Sequence, residues 1–386
     1  MIGLVQPLHE LLKVKTMDST NIVWRLHSRA TVYLLVFFTV LLSARAYFGE
    51  PIDCITSASS GIKQSMNSFC WTLGTYISND SKFVRANWNF IEIGEKMGKI
   101  PKEERVYQKY YQWVSFILAI QASLFSLPKH LWRFFEGFRM ATLCRGLTSI
   151  LPPDDWDARR KSSTLHYLTR EPRRNQLKYA FMFYFCELLN FLIVILNMLL
   201  LNFIFGGFWY SYQPAVQALF MLDMDSWVSQ NSLVFPKLAK CEFLTVGPSG
   251  SKQVHDALCL LPQNIVNEKI FAFLWLWFIC LAIVSGLQIF YRLTQLGCQS
   301  VRVQLLYSQL APISHSRVKR VVREANFGKW FLLYQMSRNI NRDVMKDIII
   351  DLSKMEMEKV LSKQSLEHQI QIEAEEDVLD DDDVTV

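Results

Sequence analysis

Residues 111–128, YQWVSFILAIQASLFSLP, carry no charged side chain, and no other feature constrains the chain as strongly. At a rise of ~1.5 Å per residue, a helix of that length nearly crosses a hydrocarbon layer about 30 Å thick. Helix is the expected form because backbone polar groups inside lipid have no water to pair with. One end is a girdle of amphipathic rings, Tyr107, Tyr110, Tyr111 and Trp113, and the other runs into Lys129, His130, Trp132 and Arg133. Aromatic rings favour the headgroup layer and basic residues the cytosolic side, which orients the segment. Pro128 lacks an amide donor, so a kink or stop is expected there.

The rest of the sequence repeats this pattern. Its 51% apolar content comes in blocks, which predicts an all-α membrane protein with four transmembrane helices at 30–47, 110–128, 179–205 and 270–291. Lys13, Lys15, Arg25 and Arg29 place the N-terminus in the cytosol, and residues 129–178 carry eleven Lys or Arg against five Asp or Glu, which marks a cytosolic loop. Segments 48–109 and 206–269 are then extracellular loops, and 292–363 a cytosolic C-terminal helical domain. The acidic tail, 364–386, is expected to be disordered. The net charge of +6 is spread by topology, basic beside the spans and acidic at the end, so nucleic acid is not a partner. Residues 1–29 lack the features of a cleaved signal peptide and are expected to be retained. Val5, Leu8, Leu11 and Leu12 recur at helical spacing, which fits a cytosolic N-terminal helix lying on the membrane lipid surface.

Polar residues inside or beside the spans are the candidates for function. Arg45 lies near the outer end of the first span, where it can snorkel. Glu187, Asn190 and Asn197 share a narrow arc of the third span, and packing between helices is the preferred role over an ion path. Four cysteines fall in the outer loops: Cys54, Cys70, Cys241 and Cys259. In an oxidising exterior they form two disulfides, with three connectivities open, while Cys144, Cys186, Cys280 and Cys298 stay thiols. Gly247-Pro248-Ser249-Gly250 predicts a tight turn between two short strands, and Asn79-Asp80-Ser81 is a glycosylation candidate. His255-Asp256 lacks a nucleophile and reads as structural. With no nucleotide-binding, hydrolase or metal motif, neither catalysis nor a cofactor is expected. The terminus Val384-Thr385-Val386 has the form of a PDZ ligand.

Tyr110-Tyr111-Gln112-Trp113-Val114 resembles the YYQWV signature of the innexins, the invertebrate gap-junction proteins. Similar matches run in order through Tyr47-x-Gly49-x-Pro51-Ile52-x-Cys54, Lys240-Cys241, Gly247-x-Ser249-Gly250, His255-Asp256-x-x-Cys259 and Asn264-x-x-Asn267-Glu268-Lys269. The resemblance implies a multi-pass plasma-membrane subunit of a gap junction, assembled with itself or other innexins into an octameric hemichannel that docks with an opposing hemichannel. It also implies the pairings Cys54 to Cys259 and Cys70 to Cys241, and an N-terminus folded into the pore. Met1, Ile2, Val5 and Glu50 are then pore-lining candidates. The alternatives are an undocked hemichannel like the related pannexins, favoured if Asn79 carries a glycan, and an adhesion scaffold without conduction. Lys329 stands where the family usually has Asp, and Arg45 where it is often uncharged.

Overall fold

The computed structural model describes residues 20–56, 60–78, 105–148, 156–232 and 234–382. Met1, Ile2, Val5, Asn79 and the three C-terminal residues therefore lie outside the described part. In chain order the elements begin with α1 (Ile22–Phe48), β1 (Asp53–Ile55), α2 (Ser60–Leu73), β2 (Thr75–Ser78) and β3 (Arg105–Gln108). A 3₁₀ turn, Tyr110–Gln112, leads into α3 (Val114–Glu136), α4 (Arg139–Leu143), α5 (Ala158–Arg170) and α6 (Arg173–Ile204). Then follow α7 (Phe208–Phe220), α8 (Met224–Asn231), β4 (Leu238–Val246), β5 (Lys252–Leu260) and α9 (Pro262–Gly297). The chain closes with α10 (Gln299–Leu310), α11 (His315–Glu324), α12 (Phe327–Asn339) and α13 (Arg342–Asp382).

Helices α1, α3, α6 and α9 are long and apolar enough to cross a membrane. Each runs past the uncharged stretch that reveals it, because packing and helix propensity persist after the apolar run ends. Pro128 does not stop α3, which continues to Glu136. One proline removes one backbone donor, and the turns on either side keep theirs.

The described chain divides into two compact units. The first to be built, Val23–Pro128 with Leu189–Gly286, holds a core from the spans and a sheet. On α3, Val114, Leu118, Ala122 and Phe125 are buried at helical spacing, while Trp113, Phe116, Ile120 and Leu127 stay exposed, so one stripe faces the core. Leu35 and Leu42 of α1, Val194 and Leu201 of α6, and Phe271 and Phe278 of α9 complete that core. The loops predicted at 48–109 and 206–269 build one antiparallel sheet, in the order β1-β5-β4-β2-β3. Only the β4–β5 hairpin was legible beforehand, from its turn: Gly250 takes a φ of 79°, a region that favours glycine.

The other unit comprises Lys129–Leu188 and Leu287–Val386 with the first residues of the chain. Its centre is α12, where Trp330, Phe331, Leu332, Leu333 and Met336 are all buried. A helix apolar on every side must be covered on every side. Gly328 is obligatory there, since an added Cβ would lie 2.3 Å from the Gln176 carbonyl carbon. α13 contributes Val344, Met345, Ile348, Ile349 and Leu352. The predicted disordered tail is corrected: the helix continues to Asp382. Residues 363–382 include Lys, Gln, Leu, Glu and Ala, which are strong helix formers and carry the backbone on.

Candidate docking face and the polar clusters behind it

The sheet is closed by two disulfides. Cys54 of β1 lies directly opposite Cys259 of β5 in the register, with Cα atoms 3.9 Å apart. Cys70 in the last turn of α2 joins Cys241 of β4 across 6.0 Å. The sulfurs of Cys54, Cys70 and Cys259 crowd within 4.8 Å of one another. All three are oxidised, so this cluster offers no thiolate to a metal. Around it pack Ile52, Met66, Ile77, Ala239 and Ala257, so both loops share one small core.

The hairpin beyond that core is built differently. Leu244 lies opposite Val254, and Val246 follows two residues after Leu244, so all three point to one face. They are 61%, 62% and 73% exposed respectively. Contiguous aliphatic side chains left bare on a strand pair are a candidate interaction surface. His255 and Asp256 are successive residues of β5 and point to opposite faces. His255 Nε2 meets Thr245 Oγ1 at 2.8 Å, and Asp256 pairs with Lys240 at 2.8 Å. They form no couple with each other, and each makes a structural contact of its own.

The signature at Tyr110 to Val114 acts as a bracket. Helix α2 ends at Gly74, whose φ of 97° and amide bond to the Cys70 carbonyl close the last turn. That end leaves the later carbonyls without intrahelical partners and the Cys70 carbonyl with a second lone pair. Tyr111 Oη donates to the Cys70 carbonyl at 3.2 Å, and Gln112 Nε2 donates to the Trp71 carbonyl. The Tyr111 ring stacks on Trp71 at 4.6 Å. Tyr110 Oη reaches the Val234 carbonyl at 3.2 Å, and Val114 is fully buried. The start of α3 thereby fixes both loops.

The second pattern, Asn264 to Lys269, works from the start of α9. Asn264 Nδ2 donates to the Pro236 carbonyl at 2.8 Å. The buried Glu268 carboxylate takes Lys237 at 3.0 Å, Lys269 at 2.7 Å and Asn231 Nδ2 at 2.6 Å. Three donors offset the desolvation of one charge. Gly49 has an equally local role: an added Cβ would lie 2.7 Å from the Arg45 carbonyl oxygen where α1 ends. Across β2, β3 and β4, Arg105 forks onto Glu242 with two bonds of 3.0 Å and lies 4.4 Å over the Tyr76 ring. The Arg105 hydrogen bond holds the Glu242 carboxyl below its ordinary value. Burial, then the hydrogen bond to Glu242, push the Tyr76 phenol up.

In the helical unit, the Glu187 carboxylate meets the Arg292 guanidinium at 2.6 and 2.9 Å. Gln288 reaches it at 3.4 Å, and Asn21 Nδ2 also donates to it. Arg292 in turn donates to Gln295 Oε1 at 2.9 Å. Packing, the preferred role for Glu187, is what this geometry provides. Arg292 is not singled out by the sequence reading as the partner of Glu187. Its spacing from Gln288 and Gln295, one turn on either side, was the available signal.

The innexin family model matches residues 20–355. The chain belongs to the innexin family. It is 49% identical over 354 residues to "Innexin inx4" of Anopheles gambiae, covering 92% of each chain. It is 38% identical to "Innexin inx2" of Drosophila melanogaster, covering 89% of this chain and 93% of the relative. It is 33% identical to "Innexin shaking-B" of the same fly, covering 92% and 94%. Innexins are gap-junction channel proteins, and family membership points to a channel rather than an enzyme.

In this innexin the structure brings Cys54, Cys70, Cys241, Cys259 and the Tyr110 to Val114 signature into one assembly. Glu50 is exposed just beyond the end of α1, as is Arg45 in its last turn. Lys329, the departure from the family pattern, pairs with Glu356 at 3.3 Å, both side chains 12% exposed. This is a half-buried ion pair of the helical unit.

Proposed function

We propose that copies of this innexin, alone or with other innexins, form a ring of eight subunits in the plasma membrane. The ring docks end to end with a ring on the neighbouring cell, so that ions and small molecules pass between the two cytosols. The observation that carries this reading is the outer sheet: both loops joined by two disulfides, with Leu244, Val246 and Val254 bare on one face of its hairpin. Cross-links remove chain entropy before contact, so a preorganised face loses less on docking. An identical apolar face on the opposing ring is the complementary surface, as a symmetric interface requires.

Within the ring, Met1, Ile2 and Val5 line the conduction path with Glu50 at its outer mouth, and selectivity follows from pore width and wall charge. Membrane lipid surrounds the spans, and Val384-Thr385-Val386 adds to the edge of a PDZ domain. Asn79 is the candidate glycan site, and a glycan there would hold the rings apart and favour the undocked channel.

Electron microscopy of the purified protein tests the assembly. The reading expects eight-fold end views, and side views of two rings joined at the sheet-bearing ends. Rings of another order would change the stoichiometry. Single rings throughout, including after Asn79→Gln, would replace the junction by a single-membrane channel.

A further inference from the structure

We propose that the start of α6 carries a site for an anionic phospholipid of the cytosolic leaflet, with an acyl chain in an apolar groove and the headgroup phosphate on Arg174 and Lys178. This rests on the reading of α1, α3, α6 and α9 as bilayer spans with residues 129–178 on the cytosolic side.

The groove encloses about 530 Å³, within the ~300–1,000 Å³ typical of small-ligand sites. Arg174, Leu177, Lys178, Phe181 and Tyr184 of α6 line it along one stripe, since they recur every three or four residues. Leu296 of α9 and Phe327 of α12 form its other walls. Leu177, Phe181 and Leu296 remain 44%, 66% and 46% exposed, so the protein leaves this apolar surface uncovered. The Tyr184 hydroxyl is committed to Gln295 Oε1 at 2.8 Å, which leaves its ring as the groove's contribution.

The two cations are what select the occupant. Three other basic residues of this unit are matched by carboxylates, Arg139 with Glu171, Lys161 with Asp351, and Lys329 with Glu356. Arg174 and Lys178 hold no ion pair among the described residues, and no carboxylate lines the groove. An exposed pair of positive charges beside a slot of carbon fits a molecule with a negative head and a hydrocarbon tail. Anionic lipids are the components of the cytosolic leaflet with that chemistry, and juxtamembrane cations attract them. Free phosphate would leave the slot bare, and an apolar helix from a second copy would leave both cations unmatched.

The full-length protein in phosphatidylcholine nanodiscs, doped with phosphatidylserine or phosphatidylcholine bearing a photoreactive acyl chain, provides the test. The phosphatidylserine probe should label peptides containing residues 174–184 and Leu296 in preference to the phosphatidylcholine probe. At about five-fold per cation, Arg174→Gln with Lys178→Gln lowers that preference about thirty-fold. Leu177→Trp, which fills the slot and keeps both charges, abolishes labelling by either probe there. Equal labelling by both probes in the wild type overturns the proposal. So does labelling indifferent to these variants, displacement of the probe by inorganic phosphate, or cross-links from the groove to a second copy in place of lipid. Junctional conductance of cells expressing the same wild-type protein reports the channel reading separately: coupling without phosphatidylserine labelling overturns the lipid site alone.

Discussion

Replacing Glu187 with leucine leaves the Arg292 guanidinium charged and almost sealed from water, its side chain 7% exposed. It loses two charge-assisted bonds, of 2.6 and 2.9 Å, and keeps only Gln295 at 2.9 Å. Arg292→Met strands the carboxylate in the same way, with Gln288 at 3.4 Å as a weak donor and Asn21 as the other. Removing one member of a buried ion pair costs about 3–5 kcal/mol, while replacing both with apolar groups of similar volume is near neutral. Glu187→Leu combined with Arg292→Met should therefore recover most of what either change loses. Thermal unfolding of the detergent-purified protein, followed by size exclusion, measures this. The expected pattern is a lowered midpoint in each single variant and a near wild-type midpoint in the double, a coupling of about 6 kcal/mol or more from two losses of at least about 3 kcal/mol each. Single variants within ~1 kcal/mol of wild type whose effects simply add would refute the reasoning.

Three further outcomes follow from the same contacts. Gly328→Ala drives a Cβ into the Gln176 backbone, and the overpacking should cost about 1–3 kcal/mol, seen as a lower unfolding midpoint and reduced yield. Tyr111→Phe keeps the stack on Trp71 but loses the bond to the Cys70 carbonyl, a loss of about 1 kcal/mol, whereas Tyr111→Ala should cost ~3 kcal/mol or more in the same assay. Arg105 holds Glu242 below its ordinary value of 4.5, so the stability the pair supplies is complete above that pH and is lost as pH falls through the lowered value. Hydrogen exchange in β2 and β3 should stay protected at pH 4.5 and rise only at lower pH, and Arg105→Gln, which removes the largest cause of the lowering, should raise exchange already at neutral pH and flatten the rise on acidification.

The spans were legible because lipid imposes a one-dimensional rule: an uncharged run of sufficient length has few other fates. The β4–β5 hairpin was legible for a similar reason, since Gly247 to Gly250 demands a turn. β1, β2 and β3 were not. Strands of three or four residues carry too little alternation to be read, and β3 is separated from β2 by residues 79–104. The family motifs were visible as strings of letters, but their work was not. Tyr111 and Gln112 reach back about forty residues to the end of α2, and Glu268 gathers Asn231 from the end of α8 and Lys237 from the connection before β4. Such long-range pairing leaves no local periodicity. The helix to Asp382 went unread because net acidity was weighed above the helix propensity of Glu, Gln and Leu.

If the outer sheet of this innexin docks one channel to another, junctional conductance between paired cells reports it. Pairs in which both cells express the wild type should couple, and an expressing cell beside a naive one should not. Leu244→Asp with Val254→Asp places charge on the bare hairpin face, outside the disulfide-bonded core, so this variant should reach the surface with both disulfides intact and yet fail to couple. Variant pairs with wild-type conductance would contradict the docking face. Wild-type pairs that stay uncoupled while single cells carry current would contradict the junction itself.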